Sequence, residues 1–179
     1  EGLLTEDGVV CRVEPMALSA NHPLARVNGS LNTVRIEGDP VGAITLTGPG
    51  AGAGPTASAV MGDVAKLFRP AIRPAFGRAE HHVARPFVAA MGDETSAFFL
   101  RVRLADQPGT LAALTEALAA EGVSVNQLLQ DSADDSGASP VAIVTHRCAR
   151  SHMQAALTRL GKLTMLIDAP RLIRIETAS

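Results

Sequence analysis

Apolar and polar positions fall into three textures along the chain. Over residues 1–70, short β-branched and apolar runs alternate with Gly and Pro. The runs at 9–13, 34–36 and 43–47 have strand character. Between the last two lies Glu37-Gly38-Asp39-Pro40-Val41-Gly42, a turn sequence that predicts an antiparallel hairpin. A Gly-rich loop follows, then a helix beginning near Pro55, whose missing N–H suits the first helical turn. Val60, Met61, Val64, Leu67 and Phe68 form one apolar stripe at helical spacing, and Pro70 ends the pattern.

Residues 71–95 hold no sustained period and read as a linker, with one short ordered piece over 87–91. Residues 96–177 follow a regular plan. A strand over 98–104 runs into the turn Asp106-Gln107-Pro108-Gly109, and Leu111, Leu114, Leu118 and Ala119 line a helix that stops at Gly122. Strands at 123–129 and 141–145 flank a polar loop over 131–139. Met153, Ala156, Leu157 and Leu160 mark a second helix, and 163–167 with 172–175 supply a final strand region. The order βαββαβ predicts an antiparallel sheet with two helices on one face, so the whole chain is α+β.

Composition narrows the picture. Hydrophobic residues make up 46%, but much of that is Ala; five Phe carry all the aromatic mass, and Trp and Tyr are absent. So few large side chains favour two modest cores over one large one. The net charge of −2, with Lys and Arg scattered, argues against a nucleic-acid partner. No apolar run approaches the roughly 18 residues a membrane span needs. Cys11 and Cys148 are isolated and His81, His82, His146 and His152 lack metal-ligand spacing, so reduced cytoplasmic thiols and no metal site are expected.

Gly48-Pro49-Gly50-Ala51-Gly52-Ala53-Gly54-Pro55-Thr56 is the most unusual stretch, with glycines at alternate positions. Bare Cα atoms permit φ > 0 and close approach of another backbone or a ligand. Gly48, Gly50 and Ala53 fit G-x-G-x-x-A, but a dinucleotide fingerprint needs a second strand after the helix, and here the linker follows. Two readings stay open: a tight packed turn, or a loop whose backbone and helix N-terminus face a ligand held mainly by another domain.

Val13-Glu14-Pro15, Asn21-His22-Pro23-Leu24-Ala25, Val27-Asn28-Gly29, the turn at 37–42 and the loop-helix run from Gly48 to Val60 with Asp63 resemble, in order and spacing, the end of the homoserine dehydrogenase catalytic domain. The resemblance covers residues 1–70. It implies NAD(P)-dependent interconversion of L-homoserine and L-aspartate 4-semialdehyde, a step toward threonine and methionine. Gly52, then Gly50, match the family's cofactor-contacting position for NADP or NAD. The nucleotide-binding domain and catalytic residues of that family would lie upstream of Glu1, so no catalytic residue is assigned, and a fragment inactive by itself is expected. Lys66 is expected at the surface, Glu14 and Glu37 as ordinary carboxylates, and His22 as structural.

Leu104-Ala105-Asp106-Gln107-Pro108-Gly109-Thr110-Leu111, then Gly122-Val-Ser-Val-Asn126, Val141-Ala-Ile-Val-Thr145 and Leu172-Ile-Arg-Ile-Glu176 resemble the ACT domain, a small regulatory module of ferredoxin-like fold. Thr110 is expected to cap the helix. The resemblance implies an amino-acid effector, threonine by the pathway, held by Asp106, Gln107, Gly109, Thr110 and Asn126, and a homo-oligomer formed by ACT pairing. The competing expectation is a non-enzymatic amino-acid-sensing or oligomerisation module.

Overall fold

The computed structural model describes residues 1–6, 8–68, 92–135 and 137–176. In chain order these form β1 (Gly2–Thr5), β2 (Gly8–Cys11), β3 (Met16–Leu18), a 3-10 turn (Pro23–Arg26), β4 (Leu31–Gly38), β5 (Gly42–Pro49) and α1 (Ala53–Leu67). Then come β6 (Thr95–Ala105), α2 (Thr110–Ala119), β7 (Val125–Gln130), β8 (Ala138–Thr145), β9 (Cys148–Ala149), α3 (Arg150–Leu160) and β10 (Arg171–Glu176). The ordered piece expected over 87–91, most of the linker, Pro70 and the pair His81-His82 lie outside the described residues.

Contacts group the chain as residues 20–87 and, separately, residues 1–19 with 88–179. This grouping cuts across the sequence boundary at residue 70, because residues 1–19 fold with the C-terminal module. The reason is a strand too short to stand out in sequence. Met16, Ala17 and Leu18 pair in parallel with Arg174, Ile175 and Glu176. The sheet therefore runs β3-β10-β6-β8-β7, with β9 joined to the start of β6. Its β10-β6-β8-β7 part is antiparallel throughout, as the βαββαβ order requires.

One sheet face carries the core. Phe98, Leu100, Val102 and Leu104 alternate inward along β6 and meet Val141 and Ile143 of β8. Leu114 and Leu118 of α2 and Met153, Ala156 and Leu160 of α3 close over them, all fully buried. Each such Leu or Met contributes about 1.5–3 kcal/mol by leaving water. Gly122, at φ 72°, turns the chain from α2 toward β7. The final strand region is shorter than the sequence predicts. Residues 163–167 give one isolated bridge, Leu104 to Leu166, and only β10 forms a ladder.

In the other unit, β4 and β5 form the predicted hairpin, paired from Leu31↔Pro49 to Gly38↔Gly42. The two hairpin faces differ in kind. One carries Val34, Leu46, Ile36 and Ile44; the other joins the Thr33 and Thr47 hydroxyls at 2.8 Å. The apolar face is open: Val34 is 58% exposed and Leu46 62%. The α1 stripe Val60, Met61, Val64 and Leu67, with Phe68 after it, is exposed as well.

Candidate functional site

Two places in the fold hold the residues singled out by sequence. The first is the loop between β5 and α1. Gly52 occupies the N-cap of α1 at φ 117° and ψ 158°, a conformation essentially restricted to glycine, and no side chain caps the helix. The Gly52 carbonyl accepts the Thr56 N–H at 3.1 Å. Gly48 and Gly54 have open space where a Cβ would point. Gly50 is bare for another reason. A Cβ there would fall 1.8 Å from Nδ2 of Asn32, which lies across its Cα. The loop thus presents uncapped helical N–H groups, which have no intrahelical partners, beside unshielded backbone and one carboxamide. That chemistry suits a polar or anionic part of a ligand.

The second place is a cleft of about 180 Å³ at the start of α2, lined by Leu104, Asp106, Gln107, Gly109, Thr110 and Gln130 among others. Its size suits a ligand smaller than the drug-sized molecules that fill pockets of roughly 300–1,000 Å³. The turn is held firmly. The Asp106 N–H donates to Gly137 at 3.2 Å and the Thr110 N–H to Gln107 at 3.3 Å. Arg103, next to the turn, donates to Asp168 at 2.8 Å and Asp134 at 2.5 Å. Those bonds raise its already high pKa and tie the 131–137 loop to β6. Gly109, at φ 88°, is the N-cap of α2, and no side chain caps the helix. Thr110 is therefore not the cap that its sequence position suggests. It is the first helical residue, and it is buried.

The fold brings Asp106, Gln107, Gly109 and Thr110 together around open helical N–H groups, with a carboxylate nearby. A zwitterionic amino acid needs both kinds of partner: N–H donors for its carboxylate and an acidic group for its ammonium. Asn126 is not among the lining residues. It sits in a register irregularity of β7 between Val125 and Gln127. Gln130, at the other end of β7, lines the cleft instead. Sequence gave no reason to single out Gln130, because a polar residue at a strand end before a polar loop reads as solvent-facing.

The remaining singled-out residues have plain roles. His22 is buried and its Nδ1 accepts the Leu24 N–H at 3.2 Å, capping the 3-10 turn. Lys66 pairs with Asp63 at 2.7 Å on the surface. Cys148 is buried, and that burial pushes its thiol pKa up, away from thiolate chemistry. Glu14 is no ordinary carboxylate: it is bonded by both Arg150 and Arg174. No cluster of metal-ligating side chains is present among the described residues. No helix there is long and apolar enough to cross a membrane.

Comparison with known proteins finds a match for two segments of the chain. The homoserine dehydrogenase family model matches residues 3–65, and the ACT domain model matches residues 98–164. A segment similar to homoserine dehydrogenase is thus followed here by one similar to the ACT domain. Among curated relatives, the homoserine dehydrogenase of Neisseria gonorrhoeae is 33% identical over 97% of this chain and 41% of its own length. That of Synechocystis is 35% identical over 92% of this chain and 39% of its own length. The chain thus spans about two-fifths of these relatives. A solved homoserine dehydrogenase from Thiobacillus denitrificans matches with a TM-score of 0.75 and 28% identity, over 98% of this chain and 41% of its own. One from S. aureus, at 23% identity and a TM-score of 0.56, shares the fold. The dehydrogenase match begins within β1, so residues that match that family also complete the sheet of the ACT domain.

Proposed function

We propose that this chain is the C-terminal part of an NAD(P)-dependent homoserine dehydrogenase, with its ACT domain as an amino-acid-responsive module. The reaction is the interconversion of L-homoserine and L-aspartate 4-semialdehyde on the way to threonine and methionine, in the cytoplasm. The observation that carries this reading is the β5–α1 loop. Its glycine-only N-cap and uncapped helix lie within the segment matched to the dehydrogenase family. The hairpin and α1 around it leave apolar faces open, as surfaces do that another part of a protein covers.

When bound, the nicotinamide cofactor would supply hydride acceptance and donation. The contribution of this chain is a wall: Gly52 and Gly50 let the cofactor come against backbone, and the first N–H groups of α1 orient its polar groups. Acid–base chemistry and nucleotide binding belong to the rest of the enzyme in this reading. The ACT cleft takes an amino acid, with threonine as the first candidate. Asp106 faces its ammonium and the start of α2 its carboxylate, and paired ACT domains make a homo-oligomer. Two free thiols fit a reducing compartment.

The test is expression of the complete reading frame and assay of homoserine oxidation with NAD and with NADP. Homoserine activity that falls at least tenfold in Gly52→Ala, together with a raised KM for the nicotinamide substrate in Gly50→Ala at unchanged stability, supports the reading. A complete enzyme without homoserine activity, or one indifferent to Gly52→Ala, overturns it. An amino-acid sensor without catalysis is then the surviving alternative, because the cleft lies wholly within the ACT domain.

A further inference from the structure

Arg174 is the least expected residue of the ACT sheet. Leu172 points to the helix side of β10, so Arg174, two residues on, points the same way, and it is only 6% exposed. Its guanidinium donates to Glu176 at 2.6 Å, Glu1 at 2.8 Å and Glu14 at 3.0 Å, and lies 2.6 Å from the Met16 sulfur. Three of these four partners come from the segment 1–19. Glu14 is shared: both its oxygens also accept from Arg150, the first residue of α3, at 3.1 Å. Arg12 joins in by pairing with Glu1 and Glu94. The Glu94 carbonyl accepts the Arg150 N–H, and Asp93 bonds the Ser151 N–H at 2.8 Å and its hydroxyl at 2.6 Å, capping the start of α3. These side chains form one clasp over the β3–β10 ladder.

The clasp and the effector cleft sit at opposite ends of the same strand. Thr95, where β6 begins, follows Asp93 and Glu94 directly, and Leu104 and Ala105, where it ends, line the cleft. The helices give a second route. The cleft is at the start of α2, the clasp holds the start of α3, and the two helices pack on one core. A ligand that shifts α2 or the end of β6 therefore acts on the clasp through packed, rigid elements. The clasp also responds in steps. A buried guanidinium cannot give up its carboxylates without leaving a charge unpaired, so closed and open arrangements are distinct states.

We propose that this clasp is a relay: occupancy of the cleft at α2 sets how tightly segment 1–19 is held, and the peptide bond from Ser19 to Ala20 carries that state into the rest of the dehydrogenase segment, residues 20–65. The proposal rests on the reading of the cleft as an amino-acid site. Linkage makes it measurable in this chain without catalysis, since a ligand that tightens the clasp must be weakened equally when the clasp is loosened.

The experiment titrates L-threonine calorimetrically into the 179-residue chain and into Glu14→Gln and Arg150→Gln, and follows amide exchange at 14–18 and 171–176. Neither substituted residue lines the cleft. The expected result is slower exchange in both segments when threonine binds, and an affinity loss of about 5-fold or more in each variant, within the usual range for coupled sites. Arg150→Gln guards against misfolding of Glu14→Gln, because the Arg150 guanidinium is a third exposed and bonds only Glu14 among the described residues. Threonine that binds wild type and both variants equally, with exchange at 14–18 unchanged, overturns the relay and leaves the effector reading standing. A wild-type chain that takes up no threonine overturns the effector reading, and the relay falls with it.

Discussion

The two compact units use the same material, amphipathic strands and helices, in opposite ways. In the ACT unit the main apolar stripes meet one another: the inward face of β6 and β8 is closed by α2 and α3, and Leu100, Leu114, Ile143 and Leu160 see no solvent. In the described residues 20–68 the stripes are as regular but unmatched, with the apolar face of the hairpin and that of α1 both open. Periodicity alone therefore reports that an element has a buried face, not where its partner resides. A module whose stripes close on one another can fold by itself. One whose stripes stay open presents apolar surface that its own elements do not cover.

The sharpest way to break this comparison is to shorten one side chain in each unit. Leu118→Ala removes a fully buried side chain from α2 and should destabilise the ACT unit by about 2–5 kcal/mol. Leu46→Ala, on the open hairpin face, should change the stability of this chain by about 0.5 kcal/mol or less. Urea unfolding followed by circular dichroism measures both. Equal costs would mean that the hairpin face is covered in solution and that the contrast is false.

The clasp gives the next effect. Glu14→Ala removes hydrogen bonds from two guanidinium groups, one of them buried, at a cost on the order of 1.5–3 kcal/mol. Its pH dependence has a definite sign. Burial works to raise the Glu14 carboxyl pKa, but the bonds from Arg150 and Arg174 outweigh it and hold it below the ordinary 4.5. Glu1 is held down in the same direction, chiefly by Arg12. A carboxyl with a depressed folded-state pKa stabilises fully above its unfolded value, and that contribution fades as pH falls through the folded one. Hydrogen exchange at 14–18 should therefore accelerate as pH drops below about 4.5, before the strands of the core open, after correction for the intrinsic pH dependence of exchange. Exchange that stays parallel in β3 and β8 down to global unfolding would remove the clasp from the acid response.

How much of this was legible in sequence follows the same division. The hairpin, α1 and the βαββαβ order could be read because each rests on local signals: a turn sequence, a Pro near a helix start, a Gly past a helix end. The cleft was legible through Asp106-Gln107-Pro108-Gly109, where turn chemistry and helix start coincide. What escaped needed distant contacts. β3 is three residues long and acquires meaning only against β10, more than 150 residues on. Gln130 enters the cleft from the far end of β7, a distant contact that no local pattern announces. One clue was present: Arg174 falls on the inward phase of Leu172-Ile173-Arg174-Ile175, and a charge at an inward position implies buried partners. Glu14 was the partner, and nothing around it in sequence distinguishes it from a surface carboxylate.

The loop glycines provide the smallest and most discriminating contrast. Gly52 holds a backbone conformation that an L residue enters only under strain, so Gly52→Ala should cost about 1–3 kcal/mol, read as faster exchange in the first turn of α1. Gly50 has no such constraint. Its added Cβ would meet only the Asn32 side chain, which is exposed and can swing aside, so Gly50→Ala should cost under about 0.5 kcal/mol. Asn32→Ala in the same background should cancel even that. In the complete enzyme the ranking separates packing from function. If the loop is only a tight turn, loss of activity follows the loss of stability, and Gly50→Ala is silent. If the cofactor lies against it, Gly50→Ala raises KM for the nicotinamide substrate while leaving stability unchanged, because the new methyl group, or the displaced carboxamide, occupies space the cofactor uses.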